Sequence, residues 1–153
     1  MRKNDGFSLI ELIIVIAVMG IILAIAAPNF TRYRDNTNLR EAARDISSDI
    51  QLYKQRAIAE NVQYSITFNA GTNDYVIQRN GVTIVTRQVG GNNPVEISGS
   101  PAPSFSGGVP TVSLLPRGTA TLGSMTLRHA TRLSEARIIV NIMGRVRVEY
   151  DLK

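Results

Sequence analysis

The chain has no cysteine and no tryptophan, and His129 is the single histidine among 153 residues. Without cysteine there is neither a disulfide framework nor a thiolate metal site, and thiol usage carries no information on redox compartment. No Gly-x-Ser-x-Gly elbow or metal-ligand cluster occurs, so the usual catalytic constellations are missing. Gly90-Gly91 lacks the following helix and lysine of a phosphate loop and reads as a plain loop. A lone histidine is most often structural or solvent-facing, and His129 is assigned no catalytic role. The chain is read as a non-enzyme with no cofactor and no metal. Its length leaves room for one domain with a modest core. Charge is also scarce near the start: between residues 7 and 27 Glu11 is the one charged side chain.

That run is the most informative stretch. Residues 1–6 are short and polar, with Arg2 and Lys3, and residues 7–27 are apolar apart from Ser8, Glu11 and Gly20. As a helix the run is roughly 31 Å long, about one hydrocarbon thickness. The basic start stays cytoplasmic by the positive-inside rule, which exports everything after Pro28. Two simpler readings compete. A secretory signal peptide would be cut after Ala26, since Ala24-Ile25-Ala26 has the small-x-small pattern, but its apolar region is usually only ~7–15 residues. A plain membrane anchor leaves Glu11 unexplained, because a carboxylate in an apolar span costs on the order of 2.5–3.5 kcal/mol and needs a partner.

Gly6-Phe7-Ser8-Leu9-Ile10-Glu11, followed by apolar residues through Gly20 to Pro28, resembles the class III leader and first helix of type IV pilins and pseudopilins. The resemblance implies a prepilin peptidase that cuts after Gly6 and methylates Phe7. It also implies that Glu11 registers an incoming subunit by pairing with the N-terminal amine of a neighbour. A buried carboxylate and a buried ammonium are each costly alone and tolerable together, which gives Glu11 a reason. The implied location is the inner membrane, crossed once with the C-terminal domain in the periplasm, and later the filament at the cell surface.

Beyond Pro28 the pattern becomes amphipathic. Leu39, Ala43, Ile46, Ile50, Tyr53 and Ala57 recur at helical steps, with charged residues elsewhere. The stripe lasts barely three heptads, so it is read as packing on the chain's own sheet rather than as a coiled coil. Pro28 lacks an N–H and Gly20 is conformationally loose, so the two mark softening points. Asn61 is the expected stop, which gives one helix over residues 7–61, roughly 80 Å long. Its halves are 7–27, transmembrane or filament core, and 28–61.

From residue 62 the period changes to two. Strands are predicted over 62–68, 75–79, 82–89, 95–97, 111–115, 125–128, 137–142 and 145–152, with loops rich in glycine, serine and proline at 90–94 and 98–110. Asn80-Gly81 is a hairpin turn, since both residues accept positive φ. The expected organisation is a leader at 1–6, the helix at 7–61 and an exported β domain at 62–153. The fold class is α+β: a pilin-like long helix packed on antiparallel sheet. With Leu114-Leu115-Pro116-Arg117-Gly118 and Gly144-Arg145-Val146-Arg147, this layout resembles the GspH/FimT group of minor pilins and pseudopilins. There is no C-terminal cysteine pair as in major pilins, and no Tyr-Pro segment after the helix as in the major pseudopilin, which favours a minor subunit. The partners implied are other pilins or pseudopilins, the peptidase and the membrane.

The formal net charge is +5 with a pI near 10.0, a balance that suits anionic partners. Arg117, Arg128, Arg132, Arg137, Arg145 and Arg147 face Glu135 alone in that window, so six minus one leaves +5. All six are arginine, the residue best suited to bidentate phosphate contact. In a strand, Arg145 and Arg147 stand roughly 6.5–7 Å apart on one side, close to the spacing of successive phosphates, with Val146 and Val148 turned inward and Gly144 turning the chain. Gly144-Arg145-x-Arg147 also resembles the motif by which FimT-type minor pilins bind DNA. Glu149 on the same side weakens the patch, and pairing with Glu135, Glu149 or Asp151 is the competing reading. Two alternatives stay open for the whole chain: a type II secretion pseudopilin acting through protein contacts, and a membrane-anchored binding module.

Overall fold

The computed structural model describes residues 8–131 and 133–153, those at 25–29 as backbone only. Among the described residues one helix, α1 (Leu9–Glu60), is followed by nine strands. The chain divides into two compact units, Met1–Arg34 and Asp35–Lys153.

In the first unit α1 opens with Glu11 N–H and Leu12 N–H donating to the Ser8 carbonyl. Its apolar side chains from Leu9 to Leu23 are exposed throughout, as are Phe30 and Tyr33. Among the described residues no helix is long and apolar enough to cross a membrane; the span expected at 7–27 extends beyond them. The helix continues without a break through Gly20 and Pro28.

In the second unit the whole expected stripe is buried: Leu39, Ala43, Ile46, Ile50, Tyr53 and Ala57. The helix ends as the sequence predicts. Asn61 takes φ 53°, Asn61 N–H reaches the Ile58 carbonyl and Val62 N–H the Ala57 carbonyl, the paired bonds of a Schellman cap. Val62 is thereby spent on the cap, so β1 (Tyr64–Asn69) starts two residues later than the alternation predicts.

β1, β2 (Asp74–Arg79), β3 (Val82–Gln88) and β6 (Thr111–Leu114) form an antiparallel sheet in the order β3-β2-β1-β6. Asn80 and Gly81, at φ 49° and 81°, make the predicted hairpin between β2 and β3. A second antiparallel sheet has the order β4-β7-β8-β9, from Val95–Ile97, Gly123–His129, Glu135–Val140 and Val146–Asp151. β5 (Ser104–Phe105) also pairs with β7. That strand lies inside a stretch predicted as loop. Its approach depends on Gly123, where a Cβ would sit 2.4 Å from the Phe105 Cα, so the glycine opening β7 is the signal that marks it.

The stripe of α1 and the inward residues of both sheets share one core that includes Tyr64, Ile66, Phe68, Ile77, Leu114, Met125, Leu127 and Ile138. Asn73 ties the two sheets: its side chain donates to the Val95 carbonyl at 2.8 Å and accepts from Ile97 N–H at 2.8 Å. Ala120 N–H adds a bond to the Ile142 carbonyl. β8 ends at Val140 instead of 142, and β9 begins at Val146 instead of 145. Residues 141–145 form a turn in which Gly144 N–H donates to the Asn141 carbonyl and Arg145 N–H to Asn141 Oδ1.

Candidate functional site

Two regions carry the predicted functional residues. Near the N-terminus, Gly6 and Phe7 lie outside the described residues. Glu11 is exposed in the first turn of α1, ringed by exposed apolar side chains, and a carboxylate there complements the helix N-terminal dipole. A Cβ at Gly20 would meet nothing within 4 Å.

The second region is the arginine set, which the fold divides. Arg132 lies outside the described residues. Arg128, Arg137 and Arg147 are exposed on one face of the second sheet, because cross-strand pairs share a side. One row across that face reads Glu96, Arg128, Glu135, Asp151, and the next reads Thr126, Arg137, Glu149. Three arginines and Lys153, whose Nζ lies 3.4 Å from Asp151 Oδ2, meet four carboxylates there, so the face has no net charge. The excess counted along the sequence is cancelled by Glu96, Glu149 and Asp151, which lie outside that window. Arg147 Nη2 is 3.3 Å from Glu149 Oε1, and Arg137 Nη2 donates to Ser124 Oγ at 3.1 Å. Val146 and Val148 are half-buried against the core.

Arg145 belongs to the turn before β9 and lines a cleft of about 450 Å³ with Gln51, Lys54 and Gln55 of α1. Gly144, at φ 63°, lies so close to the helix that an added Cβ would be 2.8 Å from Lys54 Cδ. Lys54 Nζ donates to the Met143 carbonyl at 2.6 Å. One helical turn further on, Gly118 occupies the same position over Ile58, where a Cβ would be 3.3 Å from Cδ1. That glycine closes the Leu115–Gly118 turn, whose Arg117 is exposed. Gly118 and Gly144, the chain neighbours of Arg117 and Arg145, thus approach α1 one turn apart. Lys54 was not a predicted site residue; it lies off the apolar stripe, and nothing along the chain couples positions 54 and 144.

His129 is buried at the end of β7. Its Nδ1 lies 3.4 Å from Thr131 N–H and 3.2 Å from Oγ1. A backbone N–H only donates, so Nδ1 accepts and Nε2 carries the proton in the neutral ring. Nε2 faces Asp35 Oδ1 at 3.6 Å, and Asp35 is itself buried. At that distance the pair is a close polar contact between β7 and α1 and not a hydrogen bond.

Residues 1–27 match the prokaryotic N-terminal methylation motif, and residues 42–144 match the family described as type II transport protein GspH. A fimbrial protein of Pseudomonas aeruginosa is 34% identical over 83 residues, 47% of this chain and 53% of that protein. The competence protein ComGD of Bacillus subtilis is 30% identical over 87 residues, 57% of this chain and 59% of its own. The chain thus spans little more than half the length of these relatives. Among solved structures, the minor pseudopilin EpsH of the Vibrio cholerae type 2 secretion system aligns with a TM-score of 0.57 at 11% identity, covering 73% of this chain and 96% of that one. The type IV minor pilin FimU of P. aeruginosa aligns at 0.58 and 12% identity, covering 76% and 92%. At those identities the likeness shows the fold, a pilin-like helix on antiparallel sheet. The match over residues 42–144, well over half of the chain, behind a prepilin-type N-terminal motif, places this protein in the GspH family.

Proposed function

We propose that the protein is a minor pilin or pseudopilin that primes or caps a type IV filament. A prepilin peptidase removes residues 1–6 and methylates Phe7; residues 7–27 then hold the subunit in the inner membrane, with residues 62–153 in the periplasm, until it enters the filament. The observation that carries this reading is the N-terminal motif itself, with Glu11 set among exposed apolar side chains of α1. An apolar helix surface of that kind needs lipid or other helices to cover it. In this reading Glu11 pairs with a neighbour's N-terminal amine, and Gly20 and Pro28 are the points at which the helix yields on packing. Crosslinking between subunits tests it: Glu11→Ala should insert normally, since losing a charge eases insertion, yet crosslink poorly to neighbouring subunits. Normal crosslinking would remove the assembly role of the carboxylate.

The subunit also binds DNA without sequence preference, for uptake, through Gly144, Arg145 and Arg147. The exposure of both arginines and the positive net charge support this, and a relative named as a competence protein agrees with it. Full chain in an uncharged detergent should bind unrelated duplexes with a steep salt dependence, and Arg145→Ala with Arg147→Ala should lower the slope by about two units. A second reading, a type II secretion pseudopilin acting only through other pseudopilins, is favoured by the lack of net positive charge on the face of the second sheet. Absence of duplex binding at low salt would select it.

A further inference from the structure

We infer that the cleft between α1 and the Gly144 turn is a phosphate-binding cleft, in which Lys54, Gln51 and Gln55 act together with Arg145 on a nucleic-acid backbone. The inference rests on the DNA reading above and moves its centre from the sheet face to the helix.

Charge selects this cleft. Its lining includes no carboxylate: Gln51, Lys54, Gln55 and Arg145 are its polar side chains. Three other hollows that hold an arginine are mixed. The one on the second sheet sets Arg137 against Glu135, Glu149 and Asp151. That beside Arg87 includes Asp45, and the one at His129 sets Arg128 against Glu96 and Glu135. A phosphodiester approaching those meets an acid at once, whereas here it meets donors alone.

Geometry gives the donors a common direction. Gln51, Lys54, Gln55 and Ile58 follow the i, i+3, i+4, i+7 pattern, one side of α1. Lys54 has three N–H donors, one of which holds the Met143 carbonyl at 2.6 Å; the other two remain for a ligand. That bond, and the contact between its stem and Gly144, place the ammonium beside Arg145. Amide and cationic donors of this kind form the usual phosphate contacts of DNA-binding surfaces, which position a duplex without reading sequence. Further along the helix, about 6 Å per four residues, Arg117 in the turn over Ile58 extends the basic row. The row follows the helix, so one backbone can track it from Arg145 to Arg117.

The test uses the full chain in an uncharged detergent with a fluorescent 30-base-pair duplex, read by anisotropy across a salt series. Lys54→Met keeps the aliphatic stem against Gly144 and removes the charge. It should lower the salt slope by about one unit and weaken binding several-fold at 50 mM salt, while Lys54→Arg restores both. Gln55→Glu, an exposed change that leaves the turn untouched, should weaken binding at least as much by placing a carboxylate in the cleft. Arg128→Gln and Arg137→Gln should stay within about twofold of the parent. If Lys54→Met and Gln55→Glu bind as the parent does while Arg145→Ala does not, the cleft is wrong and the DNA reading stands. Loss that follows Arg128 and Arg137 instead also overturns the cleft, in favour of the sheet face. A parent chain that fails to bind at low salt overturns both.

Discussion

Tyr75 on β2 donates its hydroxyl to Oδ2 of Asp49 on α1 at 2.7 Å, and Arg87 Nη1 on β3 approaches the same oxygen at 3.2 Å. Asp49 is buried on the helix face that meets the first sheet, so two partners together compensate its lost hydration. Tyr75→Phe should destabilise the domain by about 1.5–3 kcal/mol, the usual range for a hydrogen bond to a charged group. Urea titration reads this directly. An unchanged midpoint would mean that Arg87 and water satisfy Asp49 alone.

Burial, and secondarily the bond to Asp49, push the Tyr75 phenol well above its ordinary value of 10.0. A raised pKa contributes stability that is complete below that ordinary value and is lost as pH rises past it. Alkaline unfolding should therefore begin above pH ~10, and Tyr75→Phe should flatten that limb of the stability curve. A limb of equal slope in the variant would assign it to other groups.

The acid limb has its own group. Glu60, the last residue of α1, accepts from Tyr64 Oη at 2.8 Å and Arg79 Nε at 3.0 Å. The Tyr64 bond is the main reason its carboxyl lies below the usual 4.5, with Arg79 adding to it. A depressed carboxyl contributes stability above its unfolded value and loses it as pH falls through the folded one. Glu60→Gln should lower the melting temperature at pH 7 and narrow the gap to the parent below pH 4.5. A gap that does not change with pH would make the effect one of packing.

Gly144→Ala meets two obstacles. Positive φ costs a non-glycine residue about 1–2 kcal/mol, and the new methyl collides with the Lys54 stem. The loss should exceed that conformational cost and shrink when Lys54 is also changed to Ala, since the collision then disappears. A thermodynamic cycle measures the coupling; strict additivity would leave only the backbone contribution.

Processing is decided by intact mass. The mature chain should lack residues 1–6 and carry one methyl group on Phe7, with a side-chain balance of 17 − 2 = 15 basic against 12 − 1 = 11 acidic. A mature chain beginning at Ala27 would restore the secretory-signal alternative.

Features set by neighbours along the chain were legible in the sequence. The α1 stripe follows from periodicity alone, and Asn61 and Asn80-Gly81 sit where positive φ was needed. Features set by neighbours in space were not. Asp49 falls among the charged residues off the apolar stripe, and periodicity says nothing of Asp35, yet both are buried, where Tyr75 and His129 meet them from strands far along the chain. The arginine cluster misled for the same reason: its balancing carboxylates are cross-strand partners, and pairing register is invisible to a count along the sequence. Lys54 became relevant only once the Gly144 turn was laid against it.

The two sheets also differ in what they ask of a chain still finding its fold. β1-β2-β3 and β7-β8-β9 are meanders in which each strand pairs with its successor, and such contacts close short loops at little entropic expense. β6 is different, since Val112 must return to Ile66, across a segment that also delivers β4 and β5 to the other sheet. The pairing of β6 with β1, like that of β4 with β7, closes a much longer loop than either meander, and these two non-local pairings are what join the meanders into a single core.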